Sequence, residues 1–101
     1  IRCAPYELFG TQELAHEVVK ALEGRRACLM AHHGVIAAHV SIARALALAV
    51  TVEELATQLL ALLPMGEPPV LSEAQIAVVL EKFKTYGQQT PDVQKGLQHA
   101  S

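Results

Sequence analysis

Apolar residues recur along the chain in helical and strand-like patterns separated by glycine, proline and charge. Residues 1 to 10 read as an extended lead-in with turn character at Pro5 and Gly10. Thr11 is placed to cap a helix by accepting from a first-turn N–H, and Gln12 and Glu13 add polarity at the positive helix start. Leu14, Val18 and Leu22 then step by four, widened by Ala15 and Val19, and Gly24 is a suitable terminator. Ala27 to Ala31 is a short apolar run bounded by Arg25-Arg26 and His32-His33-Gly34, which predicts a strand buried on both faces. Val35 to Val40 predicts a second strand, with a bend or bulge at Gly34.

Ser41 opens the longest helical pattern. Ile42, Ala45, Leu46, Ala49, Val52, Leu55, Leu59 and Leu62 step by three or four, until Pro64, Gly66, Pro68 and Pro69 end the run. Ser72 and Gln75 have capping-box spacing. Ile76, Val79, Leu80 and Phe83 define a last helix that ends near Tyr86-Gly87. From Gln88 the chain is polar, and 88–101 reads as a mobile tail in which Thr90-Pro91-Asp92 could start a turn. Two strands are too few for a stable sheet, so further strands are expected from other sequence or from a partner.

Composition narrows the classes. The chain has 101 residues, 51% apolar, with a formal net charge of -2. That suits one small domain with a packed core and gives no basic footprint for nucleic acid. Arg44, Glu53 and Glu54 interrupt the apolar stretch 42–63, which argues against a membrane span. Cys3 and Cys28 make no disulfide framework, so a reducing cytoplasm is the simpler expectation. The chain starts at Ile1 and opens directly on Cys3-Ala4-Pro5-Tyr6. With the low strand count, this leads to the expectation of a fragment.

The pair His32-His33 carries the most chemistry. Imidazole is a common zinc ligand, but neighbours on a strand face opposite ways, so at most one of the two would face a given site. The residue types leave a second reading open, a hydrogen-bonded pair at a strand end. His16, His39 and His99 lack ligand spacing to His33. Cys28 reads as an inert core thiol, and Cys3 has no motif around it. Glu13, Glu17, Glu53 and Glu54 read as solvated helix faces. Tyr86 reads as a helix-end tyrosine.

Tyr6-Glu7-Leu8-Phe9-Gly10-Thr11-Gln12-Glu13-Leu14-Ala15 and Ala27-Cys28-Leu29-Met30-Ala31-His32-His33-Gly34-Val35-Ile36 resemble the class II aldolase and adducin-head family. So does the opening Cys3-Ala4-Pro5-Tyr6. The ending from Val70-Leu71-Ser72 to Ala77-Val78-Val79-Leu80-Glu81-Lys82-Phe83-Lys84-Thr85-Tyr86-Gly87 is very similar to the branch acting on L-fuculose 1-phosphate. The resemblance spans about Ile1 to Gly87. It implies an α/β fold, a three-layer α/β/α sandwich around a mostly antiparallel sheet, in which 1–87 is the C-terminal half of the domain. It also implies a zinc ion, a cyclic homotetramer, and reversible cleavage of a sugar phosphate to dihydroxyacetone phosphate and L-lactaldehyde.

Carried over by position, His33 matches a zinc ligand and His32 a neighbour that is not one. Phe9 matches a residue on the aldehyde side of the pocket, and Tyr86 a tail tyrosine that closes an adjacent subunit's site. The family's other two zinc histidines, its proton-handling glutamate, a second tyrosine and its phosphate loops have no counterpart in these residues. The tail 88–101 is not matched. A sibling sugar-phosphate aldolase, a pentulose-phosphate 4-epimerase and a non-catalytic adducin-like assembly domain share the resemblance.

Overall fold

The computed structural model describes residues 1–86. The chain divides into two compact units, Ile1–Pro68 and Pro69–Ser101. The tail and its Thr90-Pro91-Asp92 motif lie outside the described residues.

In the first unit the order is β1 (Cys3–Ala4), α1 (Gln12–Ala21), β2 (Ala27–Met30), β3 (Gly34–Ala37) and α2 (Ile42–Leu62), followed by a 3-10 turn at Leu63–Met65. The strands form one sheet in the order β1-β2-β3. The pair β2–β3 is the antiparallel hairpin that the sequence pattern predicts, with Cys28 opposite Ile36 and Met30 opposite Gly34. The third strand, β1, is an addition to that prediction. It runs parallel to β2, with Cys3 opposite Leu29. Leu29 N–H donates to the Arg2 carbonyl at 2.8 Å, and Ala31 N–H to the Ala4 carbonyl at 3.0 Å. Two residues beside a proline carry no periodicity, so this strand exists only through its partner.

Alternation along β2 assigns its two faces. Cys28 is fully buried against Ala4, Val18 and Ala21, with Leu14, Leu22, Met30 and Ile36 packed around them. That face holds α1. Leu29 faces the other way, into an open apolar groove of about 300 Å³ shared with Ile1 and with Val52, Leu55, Ala56 and Leu59 of α2. Within this unit the sheet thus lies between α1 and α2. The expected burial of β2 on both faces is only half met, because Ala27, Leu29 and Met30 stay partly exposed.

The ends of the elements follow local chemistry. Thr11 Oγ1 accepts from Leu14 N–H at 3.3 Å and donates to the Leu8 carbonyl at 2.6 Å. The Arg2 guanidinium reaches from the sheet to the Glu23 carbonyl at 2.9 Å and the Lys20 carbonyl at 3.4 Å, just past and within the last turn of α1. A cation suits that end of the helix dipole. The chain then turns through Gly24 at φ +66. Strand β3 is shorter than the predicted 35–40. Its last ladder bond runs from Ala38 N–H to the Arg26 carbonyl, after which Val40 N–H donates to its neighbour His39 Nδ1 at 2.8 Å. That local bond takes the backbone out of the sheet.

Ser41 caps α2 by accepting from Arg44 N–H at 3.3 Å. From Ile42 to Met65 the run is 24 residues with mean hydropathy 1.7, long and apolar enough by length and composition to cross a membrane. The charged residues within it therefore do not exclude a span by themselves. In this structure α2 lies along the sheet, with Leu29 across the groove.

The second unit contains α3 (Glu73–Phe83). Its capping box is complete: Gln75 N–H donates to Ser72 Oγ at 3.1 Å, and Ser72 N–H donates to Gln75 Oε1 at 2.9 Å. The helix ends at Phe83 and runs into a turn through Tyr86.

Candidate functional site

His32 and His33 lie in the turn that joins β2 to β3, not on a strand. Met30 is the last paired residue of β2, and His33 N–H donates back to its carbonyl at 3.0 Å. Closing so tight a turn puts His32 at φ 64, the left-handed region, and Gly34 at φ +131. Histidine enters that region more readily than most side chains. The two rings are therefore not held to opposite faces, because neither residue lies on a strand. Both rings meet the same partner.

That partner is Tyr6. Its ring stacks on His33 at a centroid distance of 5.5 Å and 21° between planes. It meets His32 edge to face at 5.6 Å and 87°. The carbonyl of Glu7 accepts from His33 Nε2 at 2.7 Å. In the neutral ring this bond places the proton on Nε2 and leaves the lone pair on Nδ1. A metal must then take Nδ1 or displace the Glu7 carbonyl from Nε2. An open cavity of about 380 Å³ lies beside Tyr6 and His32.

Sequence reading singles out the histidines and misses Tyr6 and the Glu7 carbonyl as their partners. Twenty-six positions separate Glu7 from His33, and no local pattern links them. Phe9 sits two residues further along the same loop and is 75% exposed. Tyr86 belongs to the second unit, where its ring meets Phe83 edge to face at 6.2 Å.

A metal site would need more donors. Among the described residues there is no group of three or more His, Cys, Asp or Glu side chains that could hold an ion. His33 fits as one donor. A ring nitrogen held by a carbonyl is the usual outer-shell arrangement of a ligating histidine.

A second polar cluster closes the opposite end of the hairpin. The Arg26 guanidinium lies 2.7 Å from His39 Nε2, while Val40 N–H donates to Nδ1. The Arg26 charge against the ring makes a second ring proton unfavourable. The His39 pKa is lowered, first by partial burial and then by Arg26 and Arg44. The thiol of Cys28 is pushed the other way. Burial raises its pKa, with Cys3 adding to the effect.

Residues 1–60 match the model of the class II aldolase and adducin N-terminal domain. The chain belongs to this family. The matched stretch takes in β1, α1, the hairpin with His33, the loop with Phe9 and most of α2; Tyr86 lies beyond it. The chain is 56% identical over 88 residues to the L-fuculose phosphate aldolase of Escherichia coli K12, covering 86% of this chain and 41% of that protein. It is 51% identical over 87 residues to the 5-methylthioribulose-1-phosphate/5-deoxyribulose-1-phosphate aldolase of Rhodospirillum rubrum, covering 86% of this chain and 39% of that protein. The 5-deoxy-D-ribulose 1-phosphate aldolase of Bacillus thuringiensis is 40% identical, over 88% of this chain and 42% of its own. The chain thus spans about two fifths of the length of these curated relatives. Within the first unit α2 packs on β2 and β3.

Proposed function

We propose that this chain forms part of a zinc-dependent aldolase that reversibly cleaves L-fuculose 1-phosphate to dihydroxyacetone phosphate and L-lactaldehyde. The observation that carries this reading is the 56% identity to L-fuculose phosphate aldolase across 86% of the chain. In this reading 1–87 is the C-terminal half of a three-layer α/β/α sandwich with a mostly antiparallel sheet, and 88–101 is a tail. The enzyme is a cytoplasmic homotetramer that binds neither nucleic acid nor membrane.

His33 supplies one metal ligand, and residues outside this sequence supply the others. The zinc, when bound, polarises the ketose carbonyl. Phe9 gives the exposed loop an apolar surface for the methyl end of the aldehyde. Tyr86, at the end of α3, closes the site of an adjacent subunit. The turn that carries His33 is held to the loop that carries Phe9 through the Glu7 carbonyl, so ligand and pocket wall are fixed together.

The identity to methylthioribulose-phosphate and deoxyribulose-phosphate aldolases favours a second reading, a sibling enzyme with another ketose 1-phosphate. Product analysis separates the two. The complete protein is given L-fuculose 1-phosphate, 5-methylthioribulose 1-phosphate and 5-deoxyribulose 1-phosphate in turn. The first reading requires that kcat/KM be highest for L-fuculose 1-phosphate, with lactaldehyde as product. Preference for either other substrate assigns the sibling activity instead.

A further inference from the structure

We infer that Tyr6 is a positioning residue for His33, holding its imidazole in the orientation in which the Glu7 carbonyl selects the tautomer protonated at Nε2. The turn that carries His33 is solvent-exposed, and an exposed histidine ordinarily exchanges among rotamers. Here two groups from one short segment restrain it. Tyr6 covers a face of the ring at 5.5 Å and 21°, and the next residue's carbonyl takes Nε2 at 2.7 Å.

The segment itself is fixed at both ends. The Ala4 carbonyl accepts from Ala31 N–H at 3.0 Å, beside the turn. The Leu8 carbonyl accepts from the Thr11 hydroxyl, which also caps α1. Tyr6 and Glu7 thus stand between two anchored carbonyls, and the ring contact is part of the scaffold. The same tyrosine meets His32 edge-on, which restrains the strained residue of the turn as well. Stacking uses the ring face and not the hydroxyl, so phenylalanine should serve in its place and leucine should not.

The inference about the ring stands on this chain's geometry; its consequence for zinc rests on the aldolase reading. The test uses the full chain, labelled with nitrogen-15, as wild type, Tyr6→Phe and Tyr6→Leu. Long-range proton–nitrogen spectra at neutral pH report which ring nitrogen of His33 carries hydrogen. The wild type and Tyr6→Phe should show one tautomer protonated at Nε2, with cross-relaxation between ring 6 and ring 33. Tyr6→Leu should show averaged nitrogen shifts while the amides of β2 and β3 keep their positions. Unchanged His33 shifts in a folded Tyr6→Leu chain would overturn the inference. Should Tyr6→Leu fail to fold, the wild type decides, and absence of the ring-to-ring cross peak overturns the inference.

In the complete protein, Tyr6→Leu should weaken zinc binding roughly 10- to 100-fold, the usual effect of losing an outer-shell partner, while Tyr6→Phe restores it. Equal zinc affinity in all three proteins also counts against the positioning role. A wild type that takes up no zinc refutes the aldolase reading instead, and the spectra of the chain then decide the role of Tyr6.

Discussion

Cys28 is the point where the small core of this chain is most exposed to test. Its side chain has 0% of its surface open to solvent and is packed with Ala4, Val18 and Ala21. These neighbours offer carbon and no polar side chain. Cys28→Ala removes one heavy atom and should cost about 1 kcal/mol, near the value of one buried methylene. Cys28→Ser keeps the shape but places a hydroxyl without a side-chain partner in the same space. The cost of an unsatisfied buried hydroxyl is about 1–3 kcal/mol, so serine should be the worse substitution although it fills more volume. Urea unfolding followed by circular dichroism reads this as an ordered fall in midpoint, with the slope unchanged.

A pH series tests the same packing. The thiol pKa is raised in the folded chain from an ordinary value of 9.0. Its contribution is fully present below the unfolded value and is lost as pH rises through the folded one. Wild-type stability should therefore decline above about pH 9, and Cys28→Ala should remove that part of the decline. If serine is tolerated as well as alanine, or if the alkaline decline persists without the thiol, the pocket around Cys28 is wet and the core assignment fails.

Other outcomes test separate joints of the structure. Thr11→Ala removes both the cap of α1 and the bond to the Leu8 carbonyl; it should destabilise the chain by about 1 kcal/mol, read as a lower thermal midpoint. Ser72→Ala breaks the capping box and should increase amide exchange in the first turn of α3, by an amount matching about 1 kcal/mol. His39 has a lowered pKa. Its stabilising contribution is present above the ordinary histidine value and is lost as pH falls through the folded one. His39→Gln should thus flatten the acid side of the stability profile, and an unchanged profile would refute the contact between His39 and Arg26.

The helices were legible because each carries its own signals. Thr11 and Ser72 cap as their positions predict, Ser41 caps where the longest apolar pattern opens, and Leu14, Val18 and Leu22 mark the packed face of α1. The hairpin was legible in type but not in extent. His39 bonds its own neighbour's N–H and ends β3 early, a side-chain event that apolarity does not encode. Strand β1 was hidden for a related reason: Cys3 and Ala4 are extended only because β2 offers them a ladder. His33 and Phe9 stood out as residue types within the family motifs. Their connection through Tyr6 and Glu7 did not, because it arises from a contact across 26 positions. His32 was misplaced on a strand. Its side chain could not reveal that the backbone turns left-handed beneath it.

The metal content of the complete protein, purified without added zinc, tests the central claim most directly. Wild type and His33→Ala are compared by elemental analysis, with folding checked by circular dichroism. If His33 is a ligand, the wild type carries stoichiometric zinc and folded His33→Ala loses most of it. Full zinc occupancy in folded His33→Ala, or a wild type without zinc, would contradict the assignment.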